Sequence, residues 1–197
     1  MPVRSHDLHG SAPDKSAAAL LLIDVINDFD FPEGEQLLRL ALPAAKNIAA
    51  LKQRASEAGI PTIYVNDNFG RWRSDFKKIV AHCRESRGKP FVELLLPNED
   101  DYFVLKPKNS GFYSTTLDLL LTHLGAKSLI ITGVQGKNCV LFTANDAYMR
   151  DYKIFVPSDC TVSNPEEENQ HALAQMQSVL KADIAIAEEL DLKAITS

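Results

Sequence analysis

Residues 128–147 read SLIITGVQGKNCVLFTANDA, and the fold follows from this stretch. It opens on an apolar, β-branched run, Leu129–Thr132, of the kind that fills a buried strand. It turns at Gly133, reaches Cys139, and continues with Val140, Phe142, Ala144 and Ala147 at helix-like spacing. The pattern predicts a thiol near the first turn of a helix, just beyond the C-terminal end of a strand. A helix N-terminus carries partial positive charge and unpaired N–H groups, so it favours a thiolate and can receive an oxyanion.

Working outward, the same alternation recurs. Ala17–Val25 is a continuous apolar run that reads as a strand buried on both faces. Thr62–Asn66, Asp101–Leu105, Lys153–Val156 and Asp183–Ala187 read as further strands. Helices are predicted over Leu37–Ala58, from a Ser74 cap to His82 or Glu85, over Thr115–Leu124, and over Pro165–Leu180 behind an Asn164 cap. Pro43 is placed in a first helical turn, Gly59 and Gly125 at helix ends, and Gly88–Pro97 in a loop. Strands alternating with helices predict an α/β fold with a mainly parallel sheet, about six-stranded and Rossmann-like, with helices on both faces.

In such sheets ligands bind outside the carboxyl ends of the strands. Five chemically capable residues fall at those ends: Asp24, Asn66, Lys106, Cys139 and Asp159. A free cysteine is most often a small buried hydrophobe. The strand-to-helix position favours Cys139 as a nucleophile over that reading, whereas Cys83 and Cys160 read as structural. Asp24 closes an all-apolar strand, so it is either capped by backbone N–H groups or available as a partnered acid/base. Lys106, in KPKNSGF, is either a surface lysine or a buried cation that lowers a neighbouring thiol pKa.

Composition sets the outer limits. The 197 residues are 45% hydrophobic and 24% charged, with a net charge of −5. They predict one domain over residues 16–197 behind an N-terminal arm, residues 1–15. Lysine and arginine are scattered, which argues against nucleic acid as a partner. The three cysteines have neither zinc-knuckle nor disulfide-framework spacing and fit a reducing compartment, so the cytoplasm is the expected location. No run is long enough to predict a membrane span. GVQGKN lacks P-loop spacing, and neither GxGxxG nor GxSxG occurs, so neither a nucleotide cofactor nor a serine α/β-hydrolase is expected. The acidic stretches Asn98–Asp101 and Glu166–Glu168 read as solvated turns or helix starts.

Three segments, LLIDVINDF, KPKNSGF and ITGVQGKNCVLFTANDA, resemble the signature segments of the isochorismatase-like cysteine hydrolases. That superfamily includes nicotinamidases, carbamoylsarcosine amidases, ureidoacrylate amidohydrolases and isochorismatases. The resemblance implies a three-layer α/β/α fold and a triad of Cys139 as nucleophile, Asp24 as acid/base and Lys106 as supporting cation. It further implies a cis peptide at Val134–Gln135, with the N–H groups of Gln135 and Cys139 as oxyanion donors. A small-molecule substrate and a homodimer or homotetramer follow from the same resemblance; Phe29, Trp72, Phe112 and Tyr113 fall on loops expected to rim the pocket, with ordinary packing or a subunit contact as the other reading, and Asn66, at a strand end, is a further substrate-binding candidate. Arg71, Arg73 or Lys108 could meet a substrate carboxylate. Two positions depart from the pattern. The metal-binding members carry histidines after the second strand, but here Asp67 is followed by NFGRWR, so no catalytic metal is expected. Ile26 replaces a common glutamine. Retention of the thiol favours cleavage of an amide or ureido C–N bond. Vinyl-ether hydrolysis and a catalytically silent binding or scaffold role are the alternatives.

Overall fold

A computed structural model describes residues 15–70 and 75–196. The predicted arm up to Asp14, the Ser74 cap, and Arg71, Trp72 and Arg73 therefore lie outside the described residues. The chain forms a six-stranded, all-parallel sheet with helices on both faces, the three-layer α/β/α arrangement.

The central strand is β1, Ala18–Ile23, in which every residue is buried. It lies between β2 (Thr62–Asp67) and β4 (Ser128–Val134), with Ile23 opposite both Val65 and Gly133. Outside β2 runs β3, Tyr102–Lys106. On the far edge of β4, β5 (Lys153–Phe155) pairs with its first half and β6 (Thr161–Val162) with its last two residues. Gly133 sits where β4 passes β1 most closely. Its φ is +124°, and a Cβ there would lie 2.0 Å from the Ile23 carbonyl oxygen, so the position requires glycine.

Alternation along β1 sorts its side chains between two cores. Ala18, Leu20 and Leu22 pack beneath α1 (Gly34–Glu57), with Leu37, Ala41, Ala45, Ile48 and Leu51 of that helix. Ala19, Leu21 and Ile23 face α4 (Leu117–Leu124), α5 (Leu141–Tyr148) and α6 (Glu166–Leu180). Each fully buried leucine or isoleucine contributes about 1.5–3 kcal/mol, so a strand buried on both faces anchors both layers. Among the described residues no helix is long and apolar enough to cross a membrane.

The structure corrects several local expectations. The first helix starts at Gly34, so Pro43 lies inside it rather than in its first turn. The helix α2, Phe76–Arg84, is capped by Asp75, whose carboxylate accepts from the Lys78 N–H at 3.2 Å. The predicted loop after it contains a short helix, α3 (Lys89–Val92), and a 3₁₀ turn, Glu93–Leu95. Asn164 does not cap α6. Its amide reaches Gln36 at 3.2 Å instead, tying the β6–α6 junction to the start of α1. The last predicted strand is reduced to one bridge between Phe155 and Asp183, while the two-residue β6 takes the sheet edge. A pattern of two residues is too short to register as periodicity in sequence. A 3₁₀ turn (Ala187–Glu189) and a short helix, α7 (Leu192–Ile195), end the described chain.

Candidate active site

The site is built from the carboxyl ends of β1, β3 and β4. Asp24 follows the last residue of β1 and has φ +50°, a left-handed conformation that aspartate tolerates better than most residues. One carboxylate oxygen, Oδ1, accepts from the Asp67 N–H at 2.6 Å. The other, Oδ2, lies 2.8 Å from the Lys106 Nζ. Lys106 ends β3, in register with Asp67 of β2, so one pair of strand ends supplies Asp24 with both partners. The ammonium also donates toward the Cys139 Sγ at 3.5 Å. Lys106 thus joins Asp24 and Cys139 in one cluster. Lys106 is fully buried and Asp24 is 6% exposed, whereas Cys139 is partly exposed, so the thiol is the member of the cluster open to solvent.

Cys139 does not stand in an ordinary α-helical turn. Gly136–Val140 forms a wider, π-helical turn that passes into α5. The Gln135 carbonyl closes it, accepting from Asn138 N at 3.1 Å and Val140 N at 3.2 Å. The Val134–Gln135 peptide leading into the turn is cis. Behind the thiol, the Thr143 hydroxyl donates to the Cys139 carbonyl at 2.7 Å and accepts from Gly111 N at 3.0 Å. Thr143 thereby links the Cys139 turn to the segment that follows Lys106.

Electrostatics here differ from the sequence-based expectation. Burial is the largest influence on all three groups. It pushes the Cys139 thiol up to about 12, and the Asp24 charge adds to the rise; Lys106 opposes it without prevailing. Burial also raises Asp24, against the pull of Lys106, the thiol and the Asp67 N–H. For Lys106, burial works downward, but Asp24, Cys139 and Asp67 together hold the ammonium above its usual value. At neutral pH the thiol is therefore protonated, beside the Lys106 ammonium and an Asp24 carboxyl whose proton affinity burial has raised. Helix polarity and a nearby lysine do not make a standing thiolate; a raised Asp24 is instead positioned to take the thiol proton.

The other nominated residues are placed differently. Asn66 is buried, and its side chain clamps Ile26: Oδ1 accepts from Ile26 N at 3.0 Å and Nδ2 donates to Ile26 O at 2.8 Å. It fixes the exit of β1 rather than presenting an amide to ligand. Ile26 points into the core, an apolar solution where the resemblance implies a polar neighbour. Phe29 is fully buried, edge-on to Phe91 at 5.2 Å, and belongs to the core, not to a pocket rim. Phe112 is 5% exposed and lies under the Arg150 guanidinium at 4.6 Å, again as packing. Asp159 anchors the C-terminal segment through Ala187 N at 2.8 Å. Cys83 and Cys160 are buried, and burial followed by Asp28 pushes Cys83 up to about 12. Tyr113 and Lys108 are exposed, and Trp72, Arg71 and Arg73 are outside the described residues. Among the described residues, no group of three or more His, Cys, Asp or Glu side chains could hold a metal ion.

Two contributions escaped sequence reasoning. The Asp67 backbone N–H was hidden behind that residue's side chain, which drew attention as a metal ligand. Thr143 left a weak signal: a threonine four residues after a helical residue can back-bond to its carbonyl.

With this geometry in hand, comparison with known proteins is decisive. Residues 18–187 match the Isochorismatase domain family. The chain belongs to the isochorismatase family. An uncharacterized isochorismatase family protein, YaaI of Bacillus subtilis, is 45% identical over 176 residues, 89% of this chain and 97% of that protein. The ureidoacrylate amidohydrolase RutB of Methylobacterium radiotolerans is 28% identical over 196 residues, covering 85% of this chain and 76% of that one. Among solved structures, the N-carbamoylsarcosine amidase of Thermoplasma acidophilum superposes with a TM-score of 0.67 at 25% identity, covering 88% of this chain and 98% of that one. The relatives of this isochorismatase-family chain thus include amidases.

Proposed function

We propose that this protein is a cysteine hydrolase that cleaves a C–N bond of a small amide or ureido compound through a thioester. The observation that carries the reading is the contact of Cys139, Asp24 and Lys106, with only the thiol of the three open to approach. Asp24 accepts the thiol proton as sulfur attacks the carbonyl carbon, and Lys106 stabilises the charge that moves between them. The carbonyl oxygen becomes an oxyanion, received by the backbone N–H groups of Gln135 and Cys139; one such donor typically contributes about 2.7–4 kcal/mol to the transition state. Protonated Asp24 then gives its proton to the departing nitrogen, and ammonia or an amine leaves. Water, deprotonated by Asp24, attacks the thioester; the acid is released and the thiol regains its proton.

The ureidoacrylate amidohydrolase and the N-carbamoylsarcosine amidase are named for substrates with a carbamoyl–nitrogen bond, which supports this substrate class. The test is ammonia release from a panel of N-carbamoyl compounds and primary amides. Cys139→Ala and Asp24→Asn are expected to abolish it while circular dichroism remains unchanged. A fully active Cys139→Ala protein would sink the thioester route and turn attention to vinyl-ether hydrolysis. No turnover on any panel member, with no acyl adduct on Cys139, would favour a silent binding role.

A further inference from the structure

The turn that holds Cys139 rests on a buried polar brace that the chemistry above does not use. The Lys137 N–H, two residues before the nucleophile, donates to the Ser163 Oγ at 2.8 Å. The Ser163 hydroxyl in turn donates to the Asn169 Oδ1 at 3.1 Å, and the Asn169 Nδ2 donates to the Thr161 carbonyl at 3.2 Å. Ser163 is fully buried and Asn169 is 4% exposed, so these bonds do not compete with water. The fit is tight: a Cβ on Gly136 would lie 2.0 Å from the Asn169 Oδ1 and 3.3 Å from the Ser163 Oγ. The Lys137 side chain adds a tether on the same junction, its Nζ donating to the Asn164 carbonyl at 3.0 Å and pairing with Glu168.

We infer that Ser163 and Asn169 are positioning residues that set the orientation of the Gln135–Cys139 backbone, and with it the two oxyanion N–H groups. The peptide plane between Gly136 and Lys137 is fixed when its N–H donates into Ser163. The Gln135 and Cys139 N–H groups belong to the peptide units two before and two after that plane, so anchoring it restrains the short turn that carries both. A preorganised donor is effective only if it already points where the oxyanion forms. Asn169 supplies what Ser163 alone lacks: it accepts the hydroxyl proton, which leaves the serine oxygen's lone pairs facing Lys137. Gly136 allows Asn169 to come this close. The inference rests on the hydrolase reading proposed above, because it assigns the brace to the oxyanion donors.

Ser163→Ala, Asn169→Ala and Ser163→Thr separate orientation from folding, with para-nitrophenyl acetate as the acyl donor and iodoacetamide as a probe of the thiol alone. Alkylation forms no oxyanion. Loss of a whole oxyanion donor lowers kcat about 10²–10³-fold, and misdirecting one is expected to lower it about tenfold or more. Ser163→Ala is therefore expected to reduce kcat on the ester by about tenfold or more with KM and the Cys139 alkylation rate within about twofold of wild type. Asn169→Ala is expected to show a smaller loss of the same kind, and Ser163→Thr, which keeps the hydroxyl, to recover most of the activity. A Ser163→Ala protein with lowered thermal stability but unchanged kcat would overturn the inference, and so would alkylation falling in step with kcat. If Ser163→Ala does not fold, Asn169→Ala alone decides by the same two rates. A wild-type protein that is never acylated on Cys139 by the ester would remove the hydrolase reading and this inference together, an outcome distinct from a variant that behaves as wild type.

Discussion

A buried lysine–aspartate pair stands at each end of β3, and the two pairs are built for opposite ends. Before the strand, Asp101 meets the Lys52 Nζ at 2.6 Å. That ammonium also donates to the Tyr64 hydroxyl at 2.9 Å and to the Leu96 carbonyl at 3.1 Å, and lies 5.1 Å from the Tyr64 ring centre. From α1, all three of its protons meet hard oxygen acceptors on β2 and the segment before β3. The other oxygen-rich half is equally engaged, with Asp101 Oδ2 also accepting from Asn98 N. At the far end of the strand, Lys106 meets Asp24 at 2.8 Å and a sulfur at 3.5 Å. Sulfur is a weak acceptor, so this pair has a partner that gains greatly when it becomes an anion. The first pair fixes the structure in one arrangement; the second leaves a proton with somewhere to go.

Replacing each lysine tests this contrast most strongly. Lys106→Met is expected to reduce turnover by about a thousandfold or more, since the charge that balances Asp24 and the sulfur is gone. Lys52→Met is expected to cost about 3–5 kcal/mol of unfolding free energy, the usual effect of stranding one partner of a buried pair. Its turnover per folded molecule should stay within about threefold of wild type, measured beside urea titrations. If Lys52→Met loses turnover without stability, the division between the two ends of β3 collapses.

A subtler outcome separates Asp24 from its usual description as an activator of a thiolate. In the resting protein Asp24 raises the Cys139 thiol, second only to burial, toward about 12 from an ordinary 9.0. Alkylation of wild-type Cys139 by iodoacetamide should therefore climb through the alkaline range, since the thiolate is the reactive form. Asp24→Asn removes the charge that opposes ionisation and leaves Lys106 in place. Its alkylation profile is expected to move to lower pH even though hydrolysis is lost. A profile that moves to higher pH would show that Asp24 stabilises the thiolate. The same rise has a consequence for stability. The thiol's folded value exceeds its unfolded one, so its contribution is complete below about pH 9 and is lost as pH rises toward about 12.

The smallest expected effect lies beside the Ser163 brace. The Thr161 Oγ1 is buried and has no hydrogen-bond partner among the described residues. Thr161→Val keeps the shape and removes the unsatisfied group, so stability should be unchanged or raised by up to about 1 kcal/mol in urea unfolding. A clear destabilisation would reveal a partner for that hydroxyl and enlarge the polar brace to a third residue.

Much of the architecture was legible in the chain. The apolar runs at Ala17–Val25 and Leu129–Thr132 have the composition of strands buried on both faces, and alternation with helices leaves a parallel sheet as the simple solution. Asp24, Lys106 and Cys139 were nominated by their chemistry at predicted strand ends, and the structure brings the three together. What was not legible has physical causes. Asp101 read as part of a solvated turn because its partner, Lys52, lies on another element, and charge pairing across a fold leaves no local pattern. Phe29 and Phe112 looked like rim residues because loop aromatics are often exposed; here core packing claims both. Asn66 has the chemistry of a ligand donor, and only the path of Ile26 past it shows that its amide is engaged.

Sequence by itself determined the periodicities and the placement of a thiol after a central strand; it read a turn at Gly133, where β4 instead runs on through Val134. Periodicity and placement depend on each residue's own shape and on near neighbours. Tertiary structure alone decided the protonation of that thiol, the pairing of both lysines, and the brace behind the Cys139 turn. These depend on solvent exclusion and on distances of about 3 Å between groups far apart in the chain, where electrostatic energies change steeply with burial and separation.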